Sequence, residues 1–299
     1  MEAELSAFRL YMETERHASR YTLRNYSQDL KEVRDFLAQN GVSSWEGVGR
    51  EVLRDYLASL MDRGIARTSI SRKFSALHSL YKYLVREKKV AADPTRSTHV
   101  PKKEDRLPSF LTREEAVSLL EACDASTPAG LRDRALLELL YASGLRVSEI
   151  AGLDVATVDL TEKEARVWGK RSKERLVVMG RPAASELREY LEKGRPALLG
   201  ESRSTALFLN ADGKRLTVRS VQKMVKSYAL KAGLEKDVHP HLLRHTFATH
   251  LLDGGADLRT VQELLGHESL ASTQVYTHIS QSQARRVYSK AHPRAKEGK

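Results

Sequence analysis

The sequence predicts a mainly α-helical protein of two domains, a four-helix bundle followed by a larger helical domain carrying a small β-hairpin or sheet. Three observations predict it. The first hundred residues repeat apolar side chains at helical spacing with almost no strand signal, a proline-containing basic stretch follows, and one segment at 165–178 alternates like a hairpin inside an otherwise helical second half. A length of 299 residues suits about two domains of ordinary size.

Leu5, Phe8, Leu10, Tyr11 and Met12 mark a first helix. Tyr26, Leu30, Val33, Phe36 and Leu37 recur at steps of three and four in a second, stopped by Asn40-Gly41. Val52, Leu53, Tyr56, Leu57, Leu60 and Met61 form a third that ends near Gly64. Thr68 is placed to cap a fourth, in which Ile70, Phe74, Leu77, Leu80, Tyr81 and Leu84 make one apolar stripe. Four helices with short loops imply a bundle over residues 1–88. Lys88 to Leu111 holds Pro94, Pro101 and Pro108 and the pairs Lys88-Lys89 and Lys102-Lys103, so 89–111 is predicted to be an extended basic linker.

The second domain, 112–299, opens at Thr112-Arg113-Glu114-Glu115, a capping box. A helix runs from about Gly130 through Leu136, Leu137, Leu139 and Leu140 to Ser143-Gly144. The hairpin at 165–178 has Gly169-Lys170-Arg171-Ser172-Lys173 at its turn. Helices resume at Pro182–Leu191, Val218–Ala232, Leu242–Asp253, Leu258–Leu265 and Thr273–Tyr276.

Composition narrows the function. Hydrophobic residues at 41% and charged residues at 30% read as soluble and globular, and no apolar run is long enough to span a bilayer. Met1-Glu2-Ala3-Glu4 lacks the basic and apolar regions of a signal peptide, so the expected location is cytoplasmic, with no membrane partner. Cys123 is the only cysteine, which excludes an internal disulfide and a cysteine-built metal site. The formal charge of +11 is concentrated: residues 1–59 carry 8 basic and 10 acidic side chains, whereas 60–103 carry 11 basic and 3 acidic. Such a stretch attracts polyanions through counterion release. Arg67, Arg72, Lys73 and Lys82 share the fourth predicted helix and are its candidate DNA contacts, against the plainer reading of a solvated helix face.

The second half holds Arg146, Lys170, His241, Arg244, His267 and Tyr276. Singly, each has an ordinary explanation in an ion pair, a solvated turn, a helix cap or a core ring; jointly they suit attack on a phosphate diester by a phenol. Without a metal, the charge on the pentacoordinate phosphorus needs fixed cationic donors, and guanidinium forks at Arg146 and Arg244 match phosphate oxygens. Lys170 is a movable ammonium able to protonate the leaving 5′ oxygen. His241 stands three residues before Arg244 at a helix start. Tyr276 needs cations or a base to become an effective nucleophile. His241 and His245 also sit at the spacing of a zinc peptidase, but Leu242 replaces the required glutamate, so neither metal nor cofactor is expected.

The strings Ala142-Ser143-Gly144-Leu145-Arg146-Val147-Ser148-Glu149-Ile150, Gly169-Lys170, His241 to Leu252, Gln262 to His267 and Thr273 to His278 resemble the tyrosine recombinases, with the Xer group the nearest match. The resemblance covers almost the whole chain. It implies a SAM-like helical DNA-binding domain at the amino terminus and a C-shaped clamp around double-stranded DNA. It also implies a tetramer on two recombination sites, a paralogous partner and a septal DNA translocase, in conversion of chromosome dimers to monomers. Arg146 and Arg244 become phosphate clamps, Lys170 general acid, His241 and His267 acid/base and transition-state partners, and Tyr276 the nucleophile that forms a 3′-phosphotyrosyl bond. The family's Gly-Lys-Gly turn is here Gly169-Lys170-Arg171, which makes Arg171 a further candidate phosphate contact. The segment containing Arg285, Arg286, Val287 and Tyr288 is implied to dock into a neighbouring subunit. A mobile-element integrase with the same chemistry and an inactive DNA-binding relative are the alternatives.

Overall fold

Four helices form where the apolar periodicity puts them: α1 (Glu2–Thr14), α2 (Arg20–Gln39), α3 (Arg50–Asp62) and α4 (Arg67–Arg86). The computed structural model describes residues 1–98, 109–168, 174–266 and 281–295, and divides into compact units Met1–Arg106 and Leu107–Lys299. Ser19 caps α2 by accepting the Thr22 N–H at 3.1 Å, and α2 stops at Asn40 before Gly41 turns left-handed at φ 75°. The predicted α4 stripe of Ile70, Phe74, Leu77, Leu80, Tyr81 and Leu84 is wholly buried, each large side chain contributing roughly 1.5–3 kcal/mol of transfer free energy. Thr68 lies within the first turn of α4; Ala66 holds the cap position, which a methyl side chain cannot serve by hydrogen bonding.

Lys73, one of the candidate DNA contacts, turns inward: its ammonium is buried and bonds Asp29 at 3.2 Å and Glu32 at 2.6 Å, with Arg72 completing the cluster on Asp29. A carboxylate 2% exposed needs cations inside the fold, and Lys73 faces inward to supply one. The start of the predicted linker packs on this unit. Val90 joins the bundle core, and Asp93 caps a 3-10 turn at Pro94–Ser97 that packs against α3 and α4.

In the second unit, α5 (Arg113–Glu121) starts with the predicted capping box, Thr112 and Glu115 bonding reciprocally at 3.2 and 2.7 Å. The helix α6 (Pro128–Ser143) is the hub: Leu136, Leu137, Leu139 and Leu140 are fully buried, so its apolar residues run all round rather than along one stripe. A short α7 (Val147–Gly152) leads to an antiparallel sheet of β1 (Val158–Asp159), β2 (Glu164–Trp168) and β3 (Glu174–Val178). Ala165 pairs with Val177 and Val167 with Arg175. The hairpin is as predicted, and β1 is an added edge too short to show alternation. Helix α8 (Arg181–Glu189) continues through a π turn at Tyr190–Gly194 into α9 (Arg195–Leu199). Then come α10 (Val218–Lys231), α11 (Pro240–Asp253) and α12 (Leu258–Leu265). The helix expected at Thr273–Tyr276 lies outside the described residues.

The last element, α13 (Gln281–Ala291), packs on its own unit. Tyr288 is buried against Phe247 and stacks on His292 at 5.2 Å, while Arg294 meets the buried Glu138 at 2.7 Å and Arg285 meets Glu162 and Glu164. The segment expected to reach a neighbouring subunit is thus seated on this chain. Among the described residues no helix is long and apolar enough to cross a membrane.

Replacing Lys73 by Met leaves the buried Asp29 to Arg72 alone, so the urea midpoint should fall by the equivalent of about 2 kcal/mol. Lys82→Ala, at an exposed position, should change stability by under about 0.5 kcal/mol.

Candidate active site

Two helix ends in the second unit present backbone carbonyls to the same pair of arginines. Helix α6 ends at Gly144, φ 60°, and α12 ends at Gly266, φ 64°, both left-handed turns that leave carbonyls without intrahelical partners. Arg244, buried on the second turn of α11, donates Nη1–H to the Gly144 carbonyl at 2.6 Å and Nη2–H to the Leu265 carbonyl at 2.7 Å. Arg146 donates Nη2–H to the Gly266 carbonyl at 3.3 Å. The carbonyl end of a helix carries partial negative charge, which suits it to hold a guanidinium. Gly144 is required twice over: its φ is left-handed, and a Cβ there would stand 2.5 Å from Phe247 Cδ1 and 3.0 Å from Leu265 Cδ2.

Arg146 is also the residue that opens α7, and Glu149 three positions on accepts its backbone N–H at 2.8 Å and its Nη1–H at 3.0 Å. The same carboxylate takes both terminal nitrogens of Arg175, at 2.7 and 3.1 Å. Burial pushes the Glu149 carboxyl up, but hydrogen bonds from Arg175 and Arg146 and their charges outweigh it and hold it below the usual glutamate value. Arg244 responds to burial first and to the Arg146 charge second; its pKa drops to about 10, still protonated at neutral pH.

His241 sits in the first turn of α11, after Pro240 at the first helical position and His239, whose Nδ1 accepts the Leu242 N–H at 3.1 Å. Burial, then the charges of His239, Arg244 and Arg146, lower the His241 pKa below 6.5, so the ring is neutral at pH 7 and able to accept a proton.

The structure therefore brings together Arg146, Arg244 and His241. Lys170, Arg171, His267 and Tyr276 lie outside the described residues. Arg67, Arg72 and Lys82 stand on α4 of the other unit, Arg67 and Lys82 exposed and Arg72 half-buried. Sequence reasoning passed over Glu149 and Arg175. The spacing Arg146-x-x-Glu149 carries the capping-box signal from a non-standard cap residue, and Arg175 shares the inward face of β3 with Val177, an unusual place for a cation.

A site of two anchored guanidiniums beside a neutral histidine at a helix start is built to hold a phosphate diester and move a proton. Residues 109–283 match the phage integrase family, and residues 5–88 match the phage integrase N-terminal SAM-like domain. Tyrosine recombinase XerC of Halalkalibacterium halodurans is 48% identical over 295 residues, 97% of each chain. Tyrosine recombinase XerD of Staphylococcus epidermidis is 44% identical over 285 residues, covering 95% of this chain and 97% of the relative. A lambda integrase dimer bound to a COC′ core site shares the fold, with TM-score 0.70 at 20% identity over 94% of this chain and 99% of that one. The chain belongs to the phage integrase family as a Xer-type tyrosine recombinase, and so is a site-specific DNA recombinase.

Gly144→Ala should reduce DNA cleavage by about 100-fold or more, because it displaces the carbonyl that anchors Arg244; single-turnover cleavage within threefold of wild type would refute that anchoring. The pH profile of kcat/KM for cleavage, which reports the DNA-free protein, should have an acid limb with a midpoint below 6.5, set by protonation of His241, that vanishes in His241→Gln. A limb at or above 6.5 would assign it to another group.

Proposed function

We propose that the chain cuts and rejoins double-stranded DNA at a specific site through a 3′-phosphotyrosyl intermediate. The observation that carries the reading is the anchoring of Arg146 and Arg244 from behind by helix-end carbonyls, which aligns two planar donors before substrate arrives. The phenol oxygen of Tyr276 forms a bond to phosphorus as the bond to the 5′ oxygen breaks. His241 receives the phenol proton and Lys170 supplies one to the departing 5′ oxygen. Arg146 and Arg244 hold the equatorial oxygens on which charge builds, with His267 as a further hydrogen-bond donor and Arg171 a contact to the flanking phosphate. The phosphotyrosyl ester keeps the energy of the diester it replaces, so rejoining by a 5′ hydroxyl needs no ATP.

Both units bind the duplex, the first through Arg67, Arg72 and Lys82 of α4. Four copies act on two sites, and recombination between them converts chromosome dimers to monomers in the cytoplasm. Relatives of similar identity carry two different names, XerC and XerD, which supports a paralogous partner for this chain, with a septal DNA translocase as regulator.

A suicide substrate nicked beside the scissile phosphate tests the chemistry. A covalent adduct to the 3′ end should form in EDTA without ATP, survive denaturant, and be absent in Tyr276→Phe. An adduct of undiminished yield in that variant would remove the nucleophile assignment.

A further inference from the structure

We infer that Arg175, on β3, is a positioning residue for the recombination reaction: by taking up the charge of Glu149 it leaves Arg146 both correctly aimed and cationic towards the phosphate. The inference rests on the recombinase reading above and concerns a residue that makes no claim on the substrate itself.

Glu149 is 4% exposed on its side chain and accepts from four donors, two on Arg146 and two on Arg175. Its role for Arg146 is to fix direction. The backbone N–H of Arg146 and one terminal nitrogen bond the same carboxylate, so the guanidinium leaves its helix start at a set angle. This anchor has an electrostatic cost. A buried carboxylate paired with one arginine alone would neutralise the charge that the phosphate is meant to meet, and in a water-poor site that loss is only weakly screened.

Arg175 resolves the conflict. Its fork is bidentate on Glu149, the geometry in which an arginine satisfies a carboxylate most fully. Arg146, Arg175 and Arg244 against Glu149 leave the cluster with a net charge of about +2; removing Arg175 would halve it. Arg175 is also fixed in place. Val167 stands opposite it in the sheet, its side chain is only 17% exposed, and its Nε is buried with no acceptor among the described residues. The same Nε would lie 2.9 Å from a Cβ at position 266, so the guanidinium covers the backbone whose carbonyl holds Arg146. Both terminal nitrogens are committed to Glu149, and the group therefore acts through Arg146.

The test combines two measurements on the full chain. Single-turnover adduct formation on the nicked substrate is compared in wild type, Arg175→Lys, Arg175→Gln and the double variant Arg175→Gln/Glu149→Gln. The carboxyl carbon of Glu149 is titrated by NMR without DNA in wild type and Arg175→Gln. Arg175→Gln should slow adduct formation about 10- to 100-fold while DNA affinity stays within about twofold, the scale seen when a supporting hydrogen-bond partner is lost. Arg175→Lys should recover part of the rate because it keeps charge without the fork. The double variant should be faster than Arg175→Gln alone, since deleting the carboxylate restores the net charge; a purely structural role predicts that it is slower. The Glu149 titration should move to higher pH in Arg175→Gln.

Adduct formation in Arg175→Gln within twofold of wild type would overturn the inference, as would a Glu149 titration that does not move. A wild-type protein that forms no adduct would instead defeat the recombinase reading, and the titration would then decide the Arg175–Glu149 coupling alone.

Discussion

The arginine cluster of the second unit answers one constraint: positive charges are brought close together, partly out of bulk water, and kept charged. Burial of Arg244 disfavours its charge and repulsion from Arg146 adds to the penalty, which together lower its pKa to about 10. Three backbone carbonyls and one carboxylate offset this. The carbonyls of Gly144, Leu265 and Gly266 supply dipole without net charge, so they stabilise the guanidiniums and leave their attraction for an anion intact. Donors held in this way need little rearrangement when charge develops on a bound phosphate, which is where electrostatic catalysis gains most.

That arrangement dictates much of the packing around it. The α6 carbonyl end can reach Arg244 only if α6 and α11 lie close, and the absence of a side chain at Gly144 is what lets Phe247 of α11 and Leu265 of α12 approach it. Phe247 then joins Leu251, Val261, Leu265 and Tyr288 in a satellite core next to the main one around α6. Helix α13 completes this satellite by placing Tyr288 and Ala291 on it. The buried Glu138 of α6 meets Arg294, so the far end of the chain is coupled by charge to the helix that anchors the site.

Much of this was legible in the sequence because the relevant signals are local. The α4 stripe, the Thr112–Glu115 box, the hairpin and the termination of α6 at Ser143-Gly144 all follow from spacing, capping and left-handed turns. Arg146, Arg244 and His241 stand out in the sequence because their strings are distinctive when taken together, and the fold places the three near one another. What escaped was non-local. Lys73 reads as one more cation on a basic helix until Asp29, forty-four positions earlier, is seen to need it. Arg175 reads as a charged strand residue until the register turns it inward towards Glu149. In the linker, composition is dominated by proline and lysine and does not show that Val90 and the capped turn after Asp93 pack its start onto the first unit.

The contrast between the two units shows why counting charges overstates a DNA surface. Residues 60–103 hold 11 basic side chains, yet Arg63, Arg72, Lys73, Arg86 and Arg96 are each paired with a carboxylate of their own unit. A phosphate reaching one of these must displace a carboxylate already in place, and little is gained by that exchange; a cation such as Lys82, with no ion pair among the described residues, releases counterions outright. Exposure separates the paired ones further. Arg72 and Arg86 keep 41% and 46% of their side-chain surface in solvent and can swap partners, whereas Lys73 at 8% cannot turn outward without giving up both Asp29 and Glu32. In the first unit, then, paired cations chiefly hold the bundle together, whereas in the second Arg244 is held by backbone carbonyls alone and Arg146 by one carbonyl and a carboxylate it shares with Arg175, so more of their charge is left unneutralised.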